Sequence, residues 1–354
     1  MPSAFPVRRS FALAAALASV VLVGSAQSRT RKAPPPPPPP PPAVSLSPRL
    51  VEQASAYRAY VSRATAISPA FASGQDVAQA VRTGASYQAD QLLRGAIVYG
   101  AVAALQDPAY VAGVRVYVKD ADQRRALAYE IMKDPAYALG FAGSAGAAGL
   151  VVAALNDDGR RLLDQGRAVK QAAYDVQHSA WSKSDVAARD ARLSMAKQLS
   201  SQPTTGENAE TSRLQLASVG QEALGLTGAA AAPPYTPLVV RSLAVAALAA
   251  LGYADDQSLE QVMPLLAEPN TGRCLNMSKL NLYQCLAVAK PHYEDVFCLG
   301  VHAMQDTGAC LIRAAGLDVP EDPRLVAARI AFTNAKLKKP PVHKKPAKSR
   351  RTRS

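Results

Sequence analysis

Four side chains near the C-terminal end have the types and the spacing that acid–base or thiol chemistry requires. The sequence places Glu294, Cys298, His302 and Asp306 at four-residue intervals, so on an α-helix they would form one stripe. Asp306 would orient His302 as a general base, and Cys298 beside His302 would make a thiolate–imidazole pair. Because His292 directly precedes this stripe, one hypothesis is a hydrolase with its site around His292, Glu294 and His302.

The four cysteines of the chain favour a structural role for the same region. Cys274, Cys285, Cys298 and Cys310 are separated by ten to twelve residues, whereas zinc sites use close-set pairs. An even number of cysteines in a chain that leaves the cytoplasm predicts disulfides. Three pairings are possible; we favour Cys274–Cys285 with Cys298–Cys310, because each closes a short loop. A bonded Cys298 cannot attack a substrate, so we expect a structural stripe and neither metal nor cofactor.

The elements that would position these residues are helices. Ala, Leu, Gln and Arg dominate the chain between its two ends, and strand formers are scattered, which favours an all-α fold. Ser47 before Pro48 is typical of a helix start. We expect an irregular multi-helix bundle with a disulfide-stapled helical segment near the C-terminus. Within that segment, residues 278–290 and 293–305 are each predicted to form one helix.

Composition divides the chain into six predicted segments, and the breaks in the middle allow two helical subdomains. The segments are a secretory signal peptide at 1–26, a Pro-rich linker at 27–46, a helical region at 47–200, turn-rich and Pro-rich breaks with a short helix at 201–237, a helical region with four cysteines at 238–335, and a disordered basic tail at 336–354.

The N-terminus has the order of features that defines a secretory signal. Arg8 and Arg9 precede an uncharged apolar run over residues 11–23, and small residues follow at 24–26. The apolar run is shorter than the ~20 helical residues that span a bilayer. Arg8 and Arg9 would also permit twin-arginine export, but the ordinary Sec route is favoured. The signal predicts a periplasmic or secreted bacterial envelope protein, so a hydrolase would be an envelope hydrolase.

An uncharged stretch at residues 135–156 contains glycines at three-residue steps. We interpret it as a buried helix whose small residues let neighbouring backbones approach, because repeated glycine weakens an isolated helix. No transmembrane helix is therefore expected in the mature chain. A third hypothesis, a small-ligand binding module, predicts a closed apolar pocket beside residues 139–155.

The basic tail carries the high net charge of the chain. Residues 336–354 contain nine Lys or Arg and no acid, and residues 1–42 contain five; the 26 basic and 27 acidic residues between them leave a body near neutrality. Such a tail is expected to contact anionic envelope polymer or lipid headgroups. Nucleic acid is not expected, because the tail has no aromatic residue on which bases would stack. The anion-contacting residues are predicted to be Lys338, Lys339, Lys344, Lys345, Lys348, Arg350, Arg351 and Arg353. The leading hypothesis is an exported, non-enzymatic helical protein with a structural or interaction role.

Overall fold

Helices account for every regular element among residues 42–337, the part of the chain that the computed structural model describes, with side chains described up to Asn334. This confirms the predicted all-α, irregular multi-helix fold. The predicted signal peptide, nearly all of the Pro-rich linker and the tail from residue 338 lie outside the described residues. Those described belong to one compact unit, so the breaks between 201 and 237 do not divide them.

Fifteen α-helices follow one another in the described chain. Their bounds are α1 Pro48–Thr65, α2 Gly74–Ala85, α3 Ala89–Ala104, α4 Pro108–Arg115, α5 Ala121–Lys133, α6 Ser144–Val176, α7 Ala180–Lys183, α8 Arg189–Ser201, α9 Asn208–Ser218, α10 Pro237–Leu251, α11 Leu259–Val262, α12 Pro269–Val288, α13 His292–Cys298, α14 Asp306–Ala314 and α15 Pro323–Leu337. Short 3-10 helices cover Pro135–Gly140 and Met263–Leu266, and a π-helix, Leu299–Gln305, joins α13 to α14.

Polar caps start several of these helices, as the residue order predicts. Ser47 accepts a hydrogen bond from the Arg49 amide at the start of α1, and Asp107 accepts one from the Tyr110 amide in α4. Each cap satisfies a backbone donor that has no partner inside the helix. Because these bonds join residues two or three positions apart, the sequence alone is enough to locate them.

The core has two clusters that one long helix connects. In the larger cluster, α3 is buried on nearly every side and packs against α1, α6 and α10. In the smaller cluster, α2, α8 and α12 pack with α13 and the π-helix. The 33-residue helix α6 contributes to both clusters. Three residues of the predicted stripe, Glu294, Cys298 and His302, lie on elements of the smaller cluster, whereas Asp306 begins α14, which packs in the larger cluster.

Glycines let α6 lie against two neighbouring backbones. A Cβ added at Gly300 would lie 2.5 Å from the amide nitrogen of Lys170, and one at Gly308 would lie 2.6 Å from the carbonyl oxygen of Gly159. These separations are shorter than any side chain tolerates, so α6 meets the π-helix and α14 without side chains between them. A Cβ at Gly149 would likewise lie 2.0 Å from the carbonyl oxygen of Ala229.

The uncharged stretch at residues 135–156 is only partly the buried helix that was expected. Pro135–Gly140 is a 3-10 helix, and α6 begins at Ser144 after Gly143, whose φ of 84° suits glycine. Close backbone approach does occur at Gly149. Across residues 42–337, no single helix combines the length and the apolar character of a membrane span; α3 and α4 do so only together, across an 88° bend.

Candidate functional site

Two disulfides bond all four cysteines, in a pairing other than the favoured one. Cys274 is bonded to Cys310 and Cys285 to Cys298. The favoured local pairing is wrong because Cys274 and Cys285 lie on the same helix, α12. Eleven residues of α-helix span about 16 Å, far beyond the Cα–Cα separations of 5.8 and 5.6 Å found in the two bridges. The bridges instead join α12 to the run of helices that follows it.

The structure brings together two of the four residues of the stripe. The ring nitrogen Nδ1 of His302 lies 2.8 Å from Oδ2 of Asp306, and both side chains are partly exposed. They are four residues apart, on the π-helix and the first turn of α14. A carboxylate in this position fixes the ring orientation and favours a proton on Nδ1. The pair therefore has the geometry of an oriented base.

The other predicted site residues lie away from this pair. Cys298 is buried in its disulfide, which excludes the thiolate–imidazole pair. Glu294 accepts a hydrogen bond from the Lys290 amide at 2.8 Å. His292 lies ten residues before His302, which corresponds to roughly 15 Å along a helix. Residues 293–305 are not one regular α-helix, because a π-helix replaces α13 from Leu299 to Gln305. The predicted site does not converge.

His292 packs into a different part of the smaller cluster. Its ring centroid is 6.4 Å from that of Trp181, and it fills the space beside Gly74, where a Cβ would lie 2.5 Å from the ring. Burial, followed by the charge of Arg192, lowers the pKa of His292 below its usual 6.5. These contacts give His292 a packing role between α2 and α7.

In the part of the chain that the structure describes, the His302 ring is hydrogen-bonded to Asp306 and to no hydroxyl or thiol. The hydroxyl of Ser278 donates to the backbone carbonyl of His302 at 2.6 Å and not to its ring. The side-chain amide nitrogen of Asn281 lies 3.5 Å from Oδ2 of Asp306. Across residues 42–337 we also find no group of three His, Cys, Asp or Glu arranged to hold a metal ion.

The sequence-based prediction missed a buried lysine that lies between the two core clusters. Lys279, only 5% exposed, donates to the carbonyl of Ala85 and to Oγ of Ser200, both at 2.7 Å. Its ammonium lies 3.5 Å from the ring centroid of Tyr87, and burial lowers its pKa well below 10.5. Lys279 lies four residues after Leu275 and so shares the apolar face of its helix, and this spacing could have indicated its burial.

Serine beside a lysine of lowered pKa is one known type of nucleophile–base pair, but this pair is enclosed. Ser200 is itself buried and also donates to the carbonyls of Ala196 and Ala85. Ala85 ends α2, where the helix dipole favours a cation. Lys279 therefore acts as a cap that ties α12 to the ends of α2 and α8.

A buried ion pair holds the end of α12 against α13. Arg192 bonds to Asp295, with side chains 6% and 2% exposed, and also donates to the carbonyl of Leu286. Arg189 donates to the carbonyl of Ala289 at 2.9 Å. Burial raises the pKa of Asp295 to about 6 even though Arg192 lowers it. Two guanidinium groups thus bind the last carbonyls of α12, where a cation is favoured.

An open groove of about 400 Å³ lies beside the Cys285–Cys298 disulfide. Its walls come from α6, α12 and α13, and they include Tyr174, Val288, Phe297 and the Cys285–Cys298 bridge. Tyr174 and Phe297 pack edge to face, with ring centroids 6.3 Å apart. Glu294 lines one side and is the only formally charged residue of the lining. The groove can accept an apolar or aromatic group.

Three features thus meet in the C-terminal third: an oriented His302–Asp306 pair, an enclosed Lys279 and an aromatic groove beside a disulfide. They lie on the same bridged helices, but the lining of the groove includes none of Lys279, His302 and Asp306. Comparison with protein-family models, with curated proteins and with solved structures gives no significant match to this chain.

Proposed function

We propose that this chain is an exported, non-enzymatic helical protein of the bacterial envelope whose basic tail contacts anionic envelope material. The observation that carries the proposal is that both disulfides together use all four cysteines. Such bonds form and persist in oxidising compartments and are rare in the cytosol. The pairing supports export, in agreement with the apolar run and small residues at the N-terminus.

The non-enzymatic part of the proposal is supported by the groups that surround each reactive side chain. Cys298 is bonded, Ser200 and Lys279 are enclosed, and the ring of His302 has Asp306 as its described hydrogen-bond partner. An acid–base mechanism needs a reacting group within reach of the base. The described hydrogen bonds pair this base with its carboxylate and with no hydroxyl or thiol.

The contact with anionic material is supported by the distribution of charge. The tail after Leu337 holds eight Lys or Arg and no acid, whereas the body is nearly neutral. Each basic residue near an anionic lipid surface contributes ~1 kcal/mol, and salt screens this attraction. Binding should therefore be concentrated in the tail and should weaken as the salt concentration rises.

Two measurements test this function. In fractionated bacteria, the protein should lie outside the cytoplasm, with four cysteines that resist alkylation until they are reduced. Removing residues 338–354, or replacing their eight Lys and Arg by Gln at constant length, should abolish salt-sensitive retention on envelope fractions. A cytosolic protein with free thiols, or retention that is unchanged without the tail charges, would contradict the proposal.

The groove beside Cys285–Cys298 favours a second candidate, a small-ligand binding module. A partly open site of about 400 Å³ with aromatic walls is within the range of small-molecule pockets. A screen of aromatic ligands by thermal shift should yield binders that lose affinity in Phe297→Ala and retain it in the distant Tyr129→Ala. The absence of any such ligand would count against this candidate.

The hydrolase hypothesis stays a prediction with one direct test. Under it, His302→Ala removes a hydrolytic activity while the melting temperature stays close to that of the unaltered protein. His302→Ala without loss of any detected hydrolysis would contradict the hypothesis.

A further inference from the structure

The last described helix, α15, exposes large apolar side chains to solvent. Leu325 is 66% exposed, Ile330 55% and Phe332 62%. From Pro323 to Asn334 only Val326 is partly buried. Leu325, Ala328 and Phe332 are three and four residues apart, so they form one stripe along the helix. Single exposed apolar residues are ordinary, whereas apolar side chains grouped on one exposed helix face mark an interaction site.

Positive charge accompanies this stripe without any acidic residue. From residue 323 to the end the sequence contains eleven Lys or Arg and no Asp or Glu. Arg324 donates to Gln171 at 2.7 Å, and Arg329 makes an ion pair with Glu321 in which both side chains are about two-thirds exposed. Exposed pairs of this kind are weak. Arg324 and Arg329 can therefore exchange these partners for others.

The combination selects one class of partner. An anionic polysaccharide or wall polymer would attract the cations but offers no apolar phase for Leu325 and Phe332. A bilayer with anionic lipids offers both, and stable peripheral binding takes an apolar insertion together with a polybasic segment. At 15 residues, α15 is shorter than the ~20 residues of a bilayer span. It can lie in the interface but is too short to cross it.

We propose that α15 lies in the headgroup region of an anionic lipid bilayer, with the Leu325–Ala328–Phe332 stripe inserted toward the acyl chains. The proposal rests on the proposed function, because the basic tail that follows supplies the attraction to anionic material. Arg329 borders the stripe, and its long aliphatic stem lets the guanidinium reach the phosphates while the stem stays in the apolar layer. The bilayer thus covers the apolar stripe and neutralises the cations.

The helix itself provides a matched control. Ile330 is about as exposed as Leu325 but lies five residues later, which places it roughly 140° around the helix at ~100° per residue. A non-specific loss of hydrophobicity would affect both positions equally. If only the Leu325–Ala328–Phe332 stripe inserts, replacing Leu325 or Phe332 should weaken vesicle binding more than replacing Ile330.

The experiment measures the sedimentation of the full, exported protein with vesicles of phosphatidylethanolamine and phosphatidylglycerol, and with phosphatidylcholine vesicles for comparison. All variants are compared with the same N-terminal residue, so that they differ only at the substituted position. We expect binding to the anionic vesicles only, about tenfold or more weaker for Leu325→Ser and for Phe332→Ser, and less than threefold weaker for Ile330→Ser. A Phe332→Trp variant should show blue-shifted emission that bromolipids quench.

Each failure has its own signature. Equal effects of the three serine variants, or none, together with a loss of binding when residues 338–354 are removed, would overturn the insertion of α15 and leave the proposed function standing. Binding to isolated wall polymer but not to vesicles would likewise overturn the insertion of α15 and leave the proposed function standing. A protein that binds neither vesicles nor envelope fractions would overturn both proposals. Unchanged circular dichroism and melting temperature would show that each variant is folded.

Discussion

The ammonium of Lys279 lies over the ring of Tyr87, 3.5 Å from its centroid, and is buried where the two core clusters adjoin. Its two hydrogen-bond acceptors, the Ala85 carbonyl and Ser200 Oγ, are uncharged. Burial lowers the pKa of Lys279, so between that lowered pKa and 10.5 the unfolded chain binds more protons than the folded one. Stability should therefore rise with pH across this window.

Replacing Lys279 by Met should remove this pH dependence. Methionine has a similar length and no charge, so we expect a change in unfolding free energy of less than ~2 kcal/mol near pH 7. Urea unfolding between about pH 7 and about pH 10 measures the slope. Lys197→Met, at an exposed position of α8, should keep the slope of the unaltered protein. An undiminished slope in Lys279→Met would show that another group titrates.

Removing Arg192 should destabilise the protein more at neutral than at acid pH. The raised pKa of Asp295, about 6, means that the folded state binds more protons between about pH 4 and about pH 6, so this group's contribution to stability falls as the pH rises through that window. Arg192→Met removes the charge that opposes the rise, which should move the pKa of Asp295 higher still. We expect a loss of ~3–5 kcal/mol near pH 7.

Chemical unfolding at about pH 5 and about pH 7 checks this expectation, with a smaller loss at the lower value because Asp295 is then largely protonated. The double variant Arg192→Met, Asp295→Leu should regain part of the stability, since no buried charge is left unpaired. Equal losses at the two pH values would contradict the assigned role of Asp295.

A methyl group at Gly308 should separate α6 from α14. The added Cβ would lie 2.6 Å from the Gly159 carbonyl oxygen and 2.7 Å from the Leu163 amide nitrogen, and neither backbone atom can rotate away. We expect Gly308→Ala to lower the unfolding free energy by ~1–3 kcal/mol. Gly140→Ala is the control, because nothing lies within 4 Å of its added Cβ. Thermal melting should show no loss for it, and similar melting of the two variants would refute the close crossing.

Proteolytic mapping distinguishes the observed disulfides from the local pairing. Trypsin cleaves after Lys279 and Glu-C after Glu294, so Cys274, Cys285 and the pair Cys298 and Cys310 fall in three peptides. The observed bonds hold all three peptides together until reduction. The local pairing would instead release the peptide of Cys298 and Cys310 by itself, and mass spectrometry separates these outcomes.

The two bridges should also contribute differently to stability. Cys274–Cys310 closes a loop of 36 residues and Cys285–Cys298 one of 13. The chain-entropy relation gives ~4 kcal/mol for the longer loop and ~3 kcal/mol for the shorter. Two double variants, one with both cysteines of each bridge replaced by Ser, can be compared by denaturant unfolding. The variant without Cys274–Cys310 should lose more unfolding free energy than the variant without Cys285–Cys298. The reverse order would contradict the entropic account.

Interactions between residues close together in the chain could be predicted from the order of residues. The all-α fold follows from residue propensity and from apolar residues at helical spacing, and the caps at Ser47 and Asp107 act over two or three residues. His302 and Asp306 meet because they are four residues apart on adjoining helical turns. Each of these interactions is complete within about one helical turn, so the order of residues is sufficient to predict it.

Contacts between distant segments could not be predicted in this way, because they depend on how the helices pack. The partner of Cys298 is Cys285 because α12 packs against α13, whereas the rule of the shortest loop ignores that a helix holds its own cysteines apart. Lys279 is buried because α2 and α8 supply acceptors almost 200 and 80 residues away in sequence. These relationships depend on how the apolar faces of all the helices pack together. That packing cannot be inferred from the sequence of any single segment.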